Sequence, residues 1–380
     1  MGPVAELLPP ALARLPARRV DFGRPRVCLL GLPFDAIGMA DAVEQVRTDA
    51  FANRRCWIST PNLNFVVAAL ADPTFRDSVL QSDLSLVDGM PLVWAARAIG
   101  LPLRERLAGS DLFEALQAHG GEPLTVYLFG GPPGAARLAA DRMTARGGGL
   151  RCVGFDEAGF GSVESMSEPA TIARINASGA HFVVVAMGAK KGQAWIARNA
   201  DRLAAPVLCH LGAVMNFAAG TLRRAPPWAR RTGLEWLWRI AGEPGLWRRY
   251  AGDGAHAARL LATSVIPDAL AVRLRRRDGR AAAPLTAERR ADVIVLRPAD
   301  ASSPAAGQAL AAALAGCIDA DLPLCIDLGA VDGVGHAFAA LLLVAKGWFA
   351  SRGGFAVGHA NVRARADLRR MLAARALDLD

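Results

Sequence analysis

Three observations predict an α/β fold for this chain of 380 residues, with a mainly parallel sheet and helices on both faces. From Arg26 onward, short β-rich runs alternate with helical patterns. Most of the runs end in glycine or turn residues. Apolar residues make up 52% of the chain and charged residues 21%, the balance of a protein with an ordinary core.

Strands are expected over 27–30, 56–59, 84–87, 125–129, 182–187 and 207–210. Helices separate them. Met39, Val43 and Val46 share one helical face, and Asp41 near its amino end suits the helix dipole. Leu112, Leu116 and the segment 135–145 continue the pattern. After Ala213 the texture changes: Trp228, Trp236, Trp238 and Trp247 interleave with Arg230, Arg231, Arg239, Arg248 and Arg249. A linker is expected over 267–287, around Arg273-Leu-Arg-Arg-Arg-Asp-Gly and the following alanines. A second alternating unit then reads as strand 293–296, helix 306–318, strand 324–328, helix 337–351, strand 355–358 and helix 362–372. The expected layout is thus a tail (1–25), an α/β domain (26–219), a basic appendage (220–266), the linker, and a small α/β domain (288–380).

Charge narrows the classes of partner. The net charge is +9, and the segment 220–277 alone holds 12 Arg against 4 acidic residues. Such a segment needs an anionic partner: nucleic acid, phospholipid or a diphosphate substrate. No recognised nucleic-acid module accompanies the arginines, and tryptophan beside arginine suits a bilayer edge better. The alternative is a helical pair packed on the domain with solvated arginines. No uninterrupted apolar run reaches membrane-spanning length. The first twenty residues, with Pro3, Pro9, Pro10 and Pro16, lack a signal-peptide pattern, so a cytoplasmic location with surface attachment is expected. Cysteines 28, 56, 152, 209, 317 and 325 are widely spaced and form no Cys-x-x-Cys pair, so they read as reduced core residues, with no metal site.

In an open parallel sheet, ligands bind beyond the carboxyl ends of the strands. Thr60-Pro61-Asn62, Asp88-Gly89, Gly130-Gly131, Gly188 and Gly212 stand there. The glycine turns let backbone approach a ligand closely, and the first two groups add a hydroxyl, an amide and a carboxylate. A dinucleotide fingerprint is absent, since Leu30-Gly-Leu-Pro-Phe has one glycine where that fingerprint needs three.

A series of blocks resembles the WecG/TagA/CpsF glycosyltransferases in family order. They are Thr60-Pro-Asn-Leu-Asn-Phe, Asp88-Gly-Met with Val93-Trp94, Glu105-Arg-Leu-Ala-Gly-Ser-Asp-Leu, Leu128-Phe-Gly-Gly, Met187-Gly-Ala with Trp195-Ile196, Arg224-Ala-Pro, Gly233-Leu-Glu-Trp236, Glu243-Pro244 and Arg248-Arg-Tyr250. The resemblance covers roughly 25–252. It implies a Rossmann-like fold and an inverting, metal-independent transfer without cofactor. An N-acetylmannosamine-like N-acetylhexosamine would pass from a UDP-sugar to a polyprenyl-diphosphate-linked sugar in cell-surface polysaccharide synthesis. The implied location is the inner face of the cytoplasmic membrane, on an anionic surface.

By the same resemblance Asp88 is the base and Thr60 lies beside the reacting sugars. An aspartate–glycine pair also favours a plain turn. Asn62 is implied in substrate binding, although Thr60-Pro61-Asn62 would equally end a strand and cap a helix; Arg106 either pairs with a phosphate or the lipid diphosphate, or is a surface arginine. Gly130-Gly131, leading into a helix at Gly134, and Gly188 are candidate phosphate or nucleotide contacts, although many αβ connections carry such a glycine pair. Arg223, Arg224, Arg231 and Arg248 are candidates for closing over the diphosphate. Two departures stand out: Gly192 and Gln193 replace an adjacent Gln-Glu, and Asn216 replaces an aspartate. Gln193 and Asn216 keep hydrogen-bonding capacity but cannot act as bases. These losses keep open an alternative, a catalytically weakened membrane-associated scaffold.

The terminal unit resembles a STAS domain through Leu324-Cys-Ile-Asp-Leu-Gly-Ala-Val331 and Gly335-His-Ala-Phe. Arg352-Gly-Gly-Phe-Ala-Val357 continues the match. His336 stands where regulatory members carry a phosphorylated serine. The resemblance implies docking of a protein partner or a small ligand.

Overall fold

The computed structural model describes residues 15–157, 161–212, 214–220, 225–226, 228–229, 234–242, 247–274, 284–320, 322–350 and 352–379. In chain order the elements begin with β1 (Arg26–Leu29), β2 (Leu32–Asp35), α1 (Met39–Phe51), β3 (Cys56–Ser59), α2 (Leu63–Ala71), α3 (Pro73–Leu80), β4 (Leu84–Ser85) and α4 (Met90–Ile99). Next come α5 (Gly109–Ala118), β5 (Leu124–Gly130), α6 (Ala135–Arg146), β6 (Leu150–Asp156), α7 (Pro169–Ala177), β7 (Phe182–Ala186), α8 (Ala189–Asn199), β8 (Val207–His210) and α9 (Val214–Ala218). A helical stretch follows: α10 (Glu235–Gly242), α11 (Trp247–Leu260), a π-helical turn (Leu261–Val265) and α12 (Ile266–Leu274). The chain closes with β9 (Leu285–Arg289), β10 (Ile294–Pro298), α13 (Pro304–Gly316), β11 (Leu324–Leu328), α14 (His336–Phe349), β12 (Phe355–Ala360) and α15 (Val362–Arg370).

A six-stranded sheet runs in the order β4-β3-β8-β7-β5-β6. Its pairs β3–β8, β8–β7, β7–β5 and β5–β6 are parallel. Every residue of β5 and β7 is buried, which is why these strands read as unbroken apolar runs. β6, which the sequence reading missed, lies at the edge and carries Arg151 and Gly154. A Cβ on Gly154 would fall 2.5 Å from the Tyr127 ring, so glycine weakens the strand signal and makes room for the neighbour.

Of the described residues, those within Met1–Arg19, Ala42–Ile58 and Ser110–Arg223 make one compact unit. Those within Val20–Asp41, Ser59–Gly109 and Arg224–Asp380 make the other. The core of the first gathers Trp57, Phe129, Val183, Val185, Trp195 and Leu208, with the Phe129 and Trp195 rings 4.4 Å apart. Trp195 Nε1–H finds the Met166 carbonyl at 3.0 Å, so the buried indole keeps its hydrogen bond.

In the second unit, the strand expected over 27–30 departs from the parallel pattern. It turns back at Leu30 (φ 50°) and Gly31 (φ 82°) and pairs antiparallel with β2. Two successive positive φ values are those of a tight hairpin turn, here without the Asn-Gly that usually signals one. Arg26 and Asp35 at the hairpin's open end form a buried ion pair at 2.9 Å, and Asp35 also accepts the Ser85 backbone N–H at 2.7 Å. Burial pulls the Arg26 pKa down, and neighbouring Asp35 opposes this.

The expected 84–87 strand shrinks to two residues. Inside the expected linker, α12 runs to Leu274 and β9 opens at Leu285, while 275–283 lie outside the described residues. Pro267 sits in the first turn of α12, where its missing N–H costs little, and the residues after it are mostly helix formers with no further breaker before Gly279.

The terminal sheet runs β12-β11-β10-β9, with β9 antiparallel at one edge and the other pairs parallel. Helix α14 is buried from Phe338 to Ala345 and again at Gly347, Trp348 and Phe349. It packs on α13, on the β1–β2 hairpin and on α3. Phe22 and Phe349 stack with centroids 6.3 Å apart. At its first residue, His336 Nδ1 lies 2.7 Å from the Cys28 carbonyl and Nε2 lies 3.1 Å from an Asp268 carboxylate oxygen. The position that the resemblance equates with a phosphorylated serine is therefore closed in by the chain itself. Among the described residues no helix is long and apolar enough to cross a membrane.

Candidate functional site

In the second unit, two loops that follow strands are tied to one another. Leu86 N–H donates to the Ser59 carbonyl, and Asp88 N–H donates to the Pro61 carbonyl, both at 2.9 Å. Leu107 N–H reaches the Val87 carbonyl at 2.7 Å and brings Arg106 to the same end. Backbone hydrogen bonds thus gather Thr60, Asn62, Asp88 and Arg106, which are separated by up to 46 positions in the sequence. Thr60 is buried, and Asn62, Asp88 and Arg106 are half-buried. Gly89, at φ 116°, lets the chain pass from Asp88 into α4, a helix with no side-chain cap at its amino end.

The Asn62 side chain is partly committed. Its Oδ1 accepts the Phe65 N–H at 3.1 Å and caps α2, the helix-capping alternative of the sequence reading. Its amide NH₂ is the group left to act on a ligand. Arg106 pairs with Glu235 on α10 at 2.6 Å, with both side chains mostly buried. Glu235 was missed as a functional residue, although it lies inside the Gly233-Leu-Glu-Trp236 block. Only the folded chain reveals that this block supplies the partner of Arg106.

The first unit gathers the glycine turns. Gly131 N–H donates to the Ala186 carbonyl at 2.8 Å, joining the end of β5 to the end of β7. Gly130 and Gly131 have φ of 91° and 87°, and a Cβ on Gly130 would meet the Ala186 carbonyl at 2.9 Å. Both positions therefore require glycine. A Cβ on Gly131 would lie 3.1 Å from Met215 Cγ, which puts α9 and Asn216 beside this turn. Asn216 is half-buried, and Gly188 is exposed at the amino end of α8.

Gln193 is placed otherwise than a ligand contact would be. It is fully buried and its Oε1 accepts the Trp57 indole N–H at 3.1 Å. An acid at 193 could accept the same bond, so losing one here leaves the core intact and changes no exposed charge. Arg223, Arg224 and Arg231 lie outside the described residues, and so does the side chain of Arg248 on α11.

Comparison with known proteins adds relatives and a family. An N-acetylglucosaminyldiphosphoundecaprenol N-acetyl-beta-D-mannosaminyltransferase of Bacillus spizizenii (strain ATCC 23059 / NRRL B-14472 / W23) is 28% identical over 198 residues, covering 52% of this chain and 75% of the relative. A protein of the same name from Bacillus subtilis (strain 168) is 27% identical over 206 residues, covering 54% of this chain and 78% of the relative. The model of the glycosyl transferase WecG/TagA/CpsF family matches residues 27–268, well over half of the sequence, and the chain belongs to that family.

Proposed function

We propose that the chain transfers an N-acetylhexosamine, N-acetylmannosamine-like, from a UDP-sugar to a polyprenyl-diphosphate-linked sugar, with inversion at the anomeric carbon. The observation that carries this reading is the pair of backbone bonds that hold Asp88 beside the Thr60–Asn62 loop. In the step itself the acceptor hydroxyl oxygen forms a bond to the anomeric carbon as that carbon's bond to the diphosphate oxygen breaks. The hydroxyl proton passes to the Asp88 carboxylate, and UDP departs with the bonding electron pair. Thr60 and the Asn62 amide hydrogen-bond the sugars. Arg106, steadied by Glu235, meets the charge that grows on the diphosphate, and the backbone amides around Gly130, Gly131 and Gly188 are proposed nucleotide contacts. Arg223, Arg224, Arg231 and Arg248 are proposed as further partners of the diphosphate on the ground of charge. The basic appendage also rests on the anionic inner face of the cytoplasmic membrane, where the acceptor's lipid resides. The terminal unit, 288–380, is a STAS-like domain in this reading and a dock for a protein partner.

The test is UDP release by the full chain, given several UDP-N-acetylhexosamines and a detergent-dispersed lipid-diphosphate sugar. Asp88→Asn should cut turnover by about 10²–10⁴-fold at an unchanged melting temperature. Turnover equal to that of the parent would remove Asp88 from the chemistry. The weakened-scaffold reading, which draws on Gln193 and Asn216, predicts no UDP release from any donor.

A further inference from the structure

The β7–α8 turn contains an exchange of space between two neighbouring elements of the first unit. A Cβ on Gly192 would lie 2.3 Å from Cδ2 and 2.8 Å from Cγ of His210. No side chain fits at 192 while that ring is in place, because the imidazole fills the volume it would take. His210 is the last residue of β8 and pairs in register with Val185 of β7. Its Nε2 lies 2.5 Å from the Met187 carbonyl oxygen. A carbonyl only accepts, so Nε2 carries the hydrogen and donates. Burial pulls the imidazole pKa down, which favours the neutral ring in that tautomer.

Met187 links β7 to Gly188, the residue that opens α8. A Cβ on Gly212 would fall 2.8 Å from the same Met187 carbonyl, so the chain after β8 closes over the turn from a second side. The next residue along α8 is the buried Gln193 that holds Trp57. One side-chain hydrogen bond from His210 thus holds the Met187 carbonyl, beside the backbone bonds at the end of β7, and Gly192 leaves the room that admits the ring.

We propose that His210 is a positioning residue: standing in the space of the side chain absent at Gly192, it fixes the Met187 carbonyl and so the Gly188 end of α8. That this turn faces a sugar nucleotide rests on the function proposed above; that His210 positions it does not. The two are separable with the full chain.

Hydrogen–deuterium exchange reads the turn without any ligand. His210→Phe fills the space without the N–H and should speed exchange over residues 187–192 by about tenfold, the worth of one hydrogen bond. His210→Gln keeps a donor and should recover most of the protection. Gly192→Ala should reproduce the defect when His210 is present and add nothing to His210→Gly. With donor present, His210→Phe should raise the donor KM by about tenfold and change kcat by less than about threefold. Unchanged exchange in His210→Phe, or defects that simply add in the Gly192→Ala/His210→Gly pair, would overturn the role of His210. A parent protein that neither binds UDP nor uses any donor would overturn the sugar-nucleotide reading, and exchange alone would then decide the case for His210.

Discussion

Helix α14 and the stretch from α10 to α12 are both rich in large apolar side chains, yet one is interior and the other is not. On α14, Phe338, Leu342, Leu343 and Phe349 are at most 1% exposed. In the other stretch, Trp238, Trp247, Ile266 and Leu270 are 41–56% exposed, and Trp228 just before it is 60% exposed. The difference lies in what is interleaved. Lys346 is the one charged residue of α14, so the helix has no polar face and is stable only when surrounded. In sequence, α10 and α11 interleave Glu235, Arg239, Arg248, Arg249, Asp253 and Arg259 with their tryptophans. Apolar content alone did not decide burial; the presence of a charged face did.

The largest expected effect tests the seating of α14. A glycine in a helix interior normally gains up to about 1 kcal/mol when changed to alanine. At Gly347 the sign should reverse, because the new Cβ would sit 2.0 Å from the Leu80 carbonyl oxygen. Gly347→Ala should cost about 3 kcal/mol, read as a fall in denaturation midpoint. A neutral or stabilising result would mean that the helix does not press on α3 as described.

At the other pole, Trp238→Ala with Trp247→Ala should change stability by less than about 1 kcal/mol in total. The same pair should markedly reduce co-sedimentation with anionic vesicles. Full retention on vesicles would assign those rings elsewhere. The smallest effect sharpens the buried side. Cys28 lies on β1 beneath α14, and burial pushes its thiol up to about 12. It should resist a thiol reagent at pH about 8 in the parent protein and become reactive in Gly347→Ala. Cys325, partly exposed on β11, should label in both.

Much of the α/β framework was readable because continuous apolar runs buried on both faces carry their own signature, as in β5 and β7. Strands 56–59, 207–210 and 324–328 have the expected bounds. What escaped was where a local rule gave way to a neighbour: Gly154 opening β6 to the Tyr127 ring, or a hairpin closed by Leu30-Gly31. The site was legible as a set of strand ends, since topology makes those positions converge. Its pairings were not. Asn62 accepting from Phe65, Gln193 turned toward Trp57, and Glu235 reaching Arg106 depend on side-chain direction, which spacing does not encode.

The sequence by itself determined the alternation of strands and helices, the basic tryptophan-rich segment and the blocks that mark the family. Each of these is a property of neighbouring residues or of their order. Only the tertiary structure decided that His336 is enclosed between Cys28 and Asp268, that His210 occupies the room left by Gly192, and that α14 is a core element of the second unit. The reason is physical. Two side chains compete for one volume, or complete one hydrogen bond, only after the backbone has brought distant positions within a few ångströms.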